Sequence, residues 1–284
     1  MDTLVTAEWL KQHVNDTNLV ILDCTVVTMP DANDPRGLHN VSGRPDYELG
    51  HIPNAGFADL KGELCKTNGS VEFDLLSPEH FCAAMSQLGV GDDSYVVLYD
   101  ANYTGWSARV WWMLRWVGFD NAAILDGGLT AWTSTGNELS LEPVIRPAQQ
   151  LTPKLRPELI AHHDEVLASI DNKAVILIDT LPEEFYRGEM SIYPRLGHIP
   201  NAVNVNGLNL FGKTGHFLKQ SELASRHDFD HNARIITYCG GGIVASTGAF
   251  VLSRLGFNNV AVYIASLEEW TADANNPMEI GAVN

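Results

Sequence analysis

Cys239 is the residue of this sequence best placed to do chemistry. It follows the apolar run Arg234 to Tyr238 and opens the stretch Cys239-Gly240-Gly241-Gly242-Ile243-Val244-Ala245-Ser246, which passes into a helical pattern. Three consecutive glycines let a backbone curl until several N–H groups face one point. The start of a helix adds a positive partial charge at the same place. A thiolate, or the anionic outer sulfur of a persulfide, is stabilised in such a cradle. The pattern therefore describes a nucleophile held by Gly240, Gly241, Gly242, Ile243 and Val244. A cysteine that merely fills a core would not need the glycines, which cost backbone entropy unless the chain must approach something closely. A nucleotide phosphate loop would need Gly-Lys-Ser/Thr after the glycines, and here Ile243 follows them.

The elements that must position Cys239 occur twice. Gly50-His51-Ile52-Pro53-Asn54-Ala55 recurs as Gly197-His198-Ile199-Pro200-Asn201-Ala202. Leu19 to Asp23 parallels Val175 to Asp179, and both runs read as buried parallel strands. Tyr95 to Tyr99 parallels Arg234 to Tyr238, and each leads through a small-residue loop into a helical pattern, Ala108 to Val117 and Ala245 to Leu255. Gly118 and Gly256 mark the stops of those helices. A further strand follows in each half, Ala122 to Leu125 and Val260 to Ile264, and then Leu129-Thr130-Ala131-Trp132 and Leu267-Glu268-Glu269-Trp270. Strand–helix alternation of this kind predicts an α/β fold of two tandem units, each a parallel sheet with helices on both faces. In the first unit Asp100 stands where the second has Cys239, so one half reads as chemically silent and the other as armed.

The units divide as residues 1–140 and 158–284, joined by 141–157. The stretch Gly136 to Pro157 carries Pro143, Pro147, Pro153 and Pro157 without helical period and reads as an extended surface linker. Asp31 to Pro45 is polar and turn-rich and reads as a long loop. With 45% hydrophobic residues over 284 positions, each half can bury a core of its own. A formal charge of −17 argues against nucleic-acid and anionic-membrane partners, which need a basic patch. An anionic substrate must then be drawn in by a local site. Met1 to Leu10 shows neither a basic nor an apolar secretory region, and no apolar run reaches the ~18 residues of a spanning helix. A cytoplasmic, soluble protein is expected. Its four cysteines, Cys24, Cys65, Cys82 and Cys239, include no Cys-x-x-Cys pair for zinc or dithiol exchange, and disulfides are not expected.

The paired Gly-His-Ile-Pro-Asn-Ala, the strand–Cys–loop–helix and the late Leu-x-x-Trp resemble the rhodanese superfamily, and in particular its tandem-domain thiosulfate and 3-mercaptopyruvate sulfurtransferases. The resemblance runs from about Thr6 to Trp270. Val96 to Asp100, Arg109 to Met113 and Leu125 to Gly128 are similar to that family's inactive N-terminal domain. It implies a catalytic Cys239 that takes a sulfane sulfur from thiosulfate or 3-mercaptopyruvate, holds it as a persulfide and passes it to a thiol or cyanide acceptor. It implies no metal or organic cofactor. Phosphatases of the same fold need Cys-x5-Arg, and Ala245 occupies the arginine position. The neutral loop leans towards the mercaptopyruvate pattern Cys-Gly-Ser-Gly, with Gly241 in place of the serine.

Arg187 and Arg195 match the family's arginines that bind the substrate anion, and two guanidinium groups suit a carboxylate or sulfonate. Asp179 could support the Cys239 loop or pair with Arg187. His198 and His51 sit in the repeated motif and read chiefly as architectural, although the resemblance places His51 near the cleft between domains. Tyr103 and Trp106 fall in the first-half loop that parallels the Cys239 loop and could wall that cleft. Cys24, Cys65 and Cys82 lack a glycine cradle and read as inert. A second function class remains: a persulfide carrier that docks onto a sulfur-accepting protein without efficient turnover of small molecules.

Overall fold

In the computed structural model, which describes residues 1–281, the repeat becomes two parallel five-stranded sheets. In the first half the strands are β1 (Leu4–Val5), β2 (Leu19–Asp23), β3 (Val26–Pro30), β4 (Leu38–Ser42), β5 (Ala55–Phe57), β6 (Tyr95–Tyr99) and β7 (Ala122–Leu125). The second half contributes β8 (Ile160–Ala161), β9 (Val175–Asp179), β10 (Val203–Asn204), β11 (Arg234–Tyr238) and β12 (Val260–Tyr263). One sheet runs β5-β2-β6-β7-β1 and the other β10-β9-β11-β12-β8, so the two orders match element for element. β2 is buried at all five positions, as a middle strand covered on both faces must be. β2 pairs with β6 and β9 with β11 in the same register, Asp23 opposite Tyr99 and Asp179 opposite Tyr238.

Two helices carry the halves onto each other. They span Gly105–Trp116 and Ile243–Arg254 and begin two or three residues before the apolar pattern predicts. The reason is local: Thr104 and Gly242 adopt left-handed backbone, at φ 63° and 78°, and turn the chain into the helix early. Trp111 meets Phe250 edge-to-face at 4.8 Å, and its indole N–H donates to Ala122 O. Trp112 donates to Leu159 O. The largest apolar cluster runs through both helices, so a single core spans both halves and a smaller one closes the outer face of each sheet. Each half does bury a core of its own, and these tryptophans add a larger one shared between them.

Asp31 to Pro45 is not one long loop. β3 and β4 form an antiparallel hairpin from Val26 to Ser42, joined by residues 31–37, and a short helix starts at Arg44. Thr28 donates to Asn40 across the hairpin, and Arg36 bonds Asp34 and Glu72. Residues 141–156 form no strand or helix and lie along the first half, held by Gln149 N–H to Ser86 O, Thr152 to Asp92 and Lys154 N–H to Val117 O.

Candidate functional site

Cys239 leaves the buried end of β11 and is 2% exposed. Its backbone is latched at both ends to the Ser266–Trp270 helix. Its N–H donates to Ser266 Oγ at 3.1 Å, that hydroxyl donates onward to Tyr263 O, and Leu267 N–H donates to Cys239 O. Gly240 and Gly242 are required by close approach. A Cβ on Gly240 would collide with the Tyr193 hydroxyl. A Cβ on Gly242 would lie 2.5 Å from Ile264 O and 2.7 Å from Arg109 Nη1. Gly241 is less constrained, with Glu268 Oε2 3.5 Å from such an atom. The N–H groups of Gly241, Gly242, Ile243 and Val244 have no acceptor among the described residues, as the first turn of a helix leaves them.

A cavity of about 180 Å³ opens at this loop. Cys239, Gly240, Gly241, Ile243 and Val244 form one wall. Tyr103, Trp106 and Phe73 come from the first half, as the sequence predicts for the first two, and Tyr193 from the second. The charged lining groups are Arg36, Glu72 and Glu268. Arg36 Nη1 and Lys61 Nζ both grip Glu72, at 2.7 and 2.6 Å. Burial pushes the Glu72 carboxyl up, and hydrogen bonds from Lys61, Arg36 and Asn40 overcome that and hold it ionised below its ordinary value. Glu268 Oε1 accepts the Glu72 N–H at 2.9 Å, and burial raises its own carboxyl. Burial, then the charge of Cys239, pushes the Tyr193 phenol far above its ordinary value, so it faces the loop as a neutral hydroxyl.

The first half is built to the same plan with the Asp100 carboxyl group where the second has the thiol. Asp100 Oδ1 accepts the N–H groups of Asn102 and Thr104, each at 3.0 Å. Its Oδ2 accepts the N–H and the hydroxyl of Ser107, each at 2.9 Å. Leu129 N–H donates to Asp100 O just as Leu267 N–H does to Cys239 O.

The other expected residues do not gather at Cys239. Arg187 pairs with Glu189 at 2.8 Å and Glu183 at 3.2 Å, and Arg195 donates to the carbonyls of Asp273 and Asn276. Neither lines the cavity; the guanidinium that does is Arg36. The acids beside Arg187 and the C-terminal carbonyls beside Arg195 satisfy those groups locally. Asp179 shares a sheet face with Tyr238, and strand alternation turns it away from Cys239. Its carboxylate accepts Leu181 N–H, and burial pushes it up to about 7 against the pull of that bond and of Tyr238. His51 stacks on Tyr47 at 4.1 Å and bridges to Tyr47 O and Glu142 O; His198 stacks on Tyr186 at 3.6 Å with Nδ1 on Tyr186 O. Both are architectural, and His51 opens onto a different cavity beside the linker. Arg36, Glu72, Tyr193, Ser266 and Glu268 were not singled out from sequence. Ser266 and Glu268 carried a signal, lying just before and within the Leu-x-x-Trp that follows the last strand of the second half.

The rhodanese-like domain family matches the chain twice, at residues 6–135 and 162–273, and the chain belongs to that family. It is 32% identical to a probable 3-mercaptopyruvate sulfurtransferase of Pseudomonas aeruginosa, with 98% of each chain covered. It is 30% identical to the 3-mercaptopyruvate sulfurtransferase of Escherichia coli K12, with 97% of each covered. The crystal structure of SseA from Escherichia coli superposes with a TM-score of 0.82 at 29% identity, over 94% of this chain and 99% of that one.

Proposed function

We propose that this chain is a sulfurtransferase that moves a sulfane sulfur from 3-mercaptopyruvate or thiosulfate to a thiol or cyanide acceptor through a persulfide on Cys239. The family and the two full-length relatives support the class of reaction. The observation that carries the site is the Cys239 loop itself. A buried cysteine at a strand end faces a cavity beside helix N–H groups that bond nothing else among the described residues.

In the first half-reaction the Cys239 thiolate attacks the outer sulfur of the donor. With thiosulfate the S–S bond breaks and sulfite leaves with the electron pair. With 3-mercaptopyruvate the C–S bond breaks, the pair passes into the enolate of pyruvate, and a proton completes the product. The acceptor thiolate or cyanide then takes the outer sulfur and restores the Cys239 thiolate. The N–H groups of the loop and of the Ile243–Arg254 helix hold the anionic sulfur. Arg36 and the neutral Tyr193 hydroxyl offer donors to the far end of the donor molecule. Arg187 and Arg195 brace the segment that carries Ile192 and Tyr193 into the cavity. The neutral loop favours 3-mercaptopyruvate, because a compact dianion such as thiosulfate gains most from cations that this loop lacks.

No helix among the described residues is long and apolar enough to cross a membrane. A cytoplasmic location is part of the proposal, and four free cysteines fit a reducing compartment. The deciding experiment is steady-state kcat/KM for 3-mercaptopyruvate and thiosulfate with one common acceptor. A higher value for 3-mercaptopyruvate is expected. Loading of Cys239 without turnover of either donor would favour a protein-docked carrier.

A further inference from the structure

Arg109 belongs to the half that lacks the cysteine, on the Gly105–Trp116 helix, and is fully buried. Its Nη2 donates to Phe73 O at 2.7 Å. Its Nε and Nη1 have no hydrogen-bond partner, and no carboxylate among the described residues pairs with it. Nη1 packs against Gly242, the residue that turns the Cys239 loop into its helix. Phe73, whose carbonyl it holds, lines the Cys239 cavity.

A guanidinium remains charged in a protein. Buried without a counter-charge it is strongly unfavourable, so a partner anion is needed. The acidic groups that act on it are Cys65, Cys239 and Asp74. Asp74 is already paired with Lys66 at 3.0 Å. Burial pushes the Cys65 thiol up to about 11, so Cys65 is neutral at ordinary pH. Cys239 remains.

We propose that Arg109 is the built-in counter-cation for the anionic sulfur at Cys239, so that the first half supplies part of the site's electrostatics and not only its wall. The proposal rests on the reading of Cys239 as the sulfur carrier. Arg109 is a positioning residue, acting through its charge from behind the Gly242 turn. A side chain at Gly242 would meet Nη1 as well as Ile264 O, so the turn and the guanidinium are packed as one unit. The other charged or titratable groups around Cys239 are Tyr103 on the first-half loop, Arg36 and Glu72 beside the hairpin, Tyr193 after Arg187, and Glu268 on the last helix. None of them is a fully buried cation.

The test uses the full-length chain at neutral pH. Cys239 is alkylated with neutral iodoacetamide and with anionic iodoacetate, and both rates are read by peptide mass spectrometry. Arg109→Met removes the charge and keeps most of the length. It should slow iodoacetamide by about tenfold, as loss of one adjacent charge does, and lower the iodoacetate-to-iodoacetamide ratio severalfold. Arg109→Lys should stay within about threefold of wild type, since it keeps the charge. A folded Arg109→Met with wild-type rates and ratio overturns the proposal. So does an Arg109→Lys as impaired as Arg109→Met, because shape would then matter and charge would not. Should Arg109→Met fail to fold, the wild type decides: a ratio at Cys239 no higher than that of a cysteine in a free peptide overturns it. Donor treatment of the wild type is scored separately. No added sulfur on Cys239 would remove the carrier reading while leaving the alkylation result to stand by itself.

Discussion

Asp100 and Cys239 occupy one station in two copies of the same unit, and each accepts a leucine N–H, from Leu129 or Leu267, on its backbone carbonyl. The Asp100 carboxylate takes three N–H groups and a hydroxyl from its own loop. Burial raises this carboxyl above its ordinary value against the pull of those bonds, and the side chain fills the place where the other loop would hold a sulfur anion. Asp100→Asn leaves two of these donors facing an amide N–H₂ and weakens the charge-assisted bonds. It should destabilise the chain by about 1–3 kcal/mol without conferring sulfur transfer on the first half. Chemical denaturation of a Cys239→Ser background measures the first effect, and any donor-dependent sulfur on that double variant would contradict the second.

The anion grip distinguishes Arg36 from Arg187 and Arg195. Arg36 lines the cavity even though Asp34 and Glu72 hold its guanidinium, whereas the other two lie outside the cavity. Arg36→Ala should lower kcat/KM for the donor by roughly 10- to 100-fold, the worth of one charge-assisted contact. Arg187→Ala and Arg195→Ala should each cost less than this and lower thermal stability of the segment they brace. Donor kinetics with the order reversed would return the anion site to Arg187 and Arg195.

Asp179 makes stability depend on pH. Burial raises its folded value to about 7, above that of the unfolded chain. Between the unfolded carboxylate value, ~3.9, and about 7 the folded chain binds the extra proton. The stabilising contribution is full below that window and is lost as pH rises through it. Asp23, raised to about 6 for the same reason, adds to the trend. Asp179→Asn keeps the oxygen that accepts Leu181 N–H and removes the proton dependence. Its Tm should fall less than that of the wild type between pH 5 and pH 8. Parallel curves would mean that Asp179 is ionised throughout.

Trp111 packs across the two halves, edge-on to Phe250. Trp111→Ala should cost about 3–5 kcal/mol, since a fully buried indole is lost against Phe250 on the facing helix. Unfolding should stay a single transition when followed at probes in either half. Two separated transitions in the wild type would show that the halves fold independently.

Much of this was legible in the sequence because it depends on local rules. The duplicated strand runs ending at Asp23 and Asp179, the glycine-ended helices and the strand–Cys–glycine–helix turn are written in consecutive residues. The hairpin was not, because the turn residues from Asp31 to Pro45 hide a strand whose ladder, from Val26–Ser42 to Pro30–Leu38, has no alternating apolar pattern to announce it. The anion grip was not, because which arginine faces Cys239 depends on how the hairpin folds across the opening between the halves. Arg109 appeared within an inactive-domain motif, and its meaning emerged only from its burial and from Gly242 beside it.

The central claim is tested most directly by intact-mass and peptide mass spectrometry after brief exposure of the reduced chain to 3-mercaptopyruvate or thiosulfate without acceptor. The account predicts one added sulfur atom, located on Cys239, released when a thiol or cyanide acceptor is supplied and absent from Cys239→Ser. Sulfur on Cys24, Cys65 or Cys82, or transfer that survives in Cys239→Ser, would contradict it.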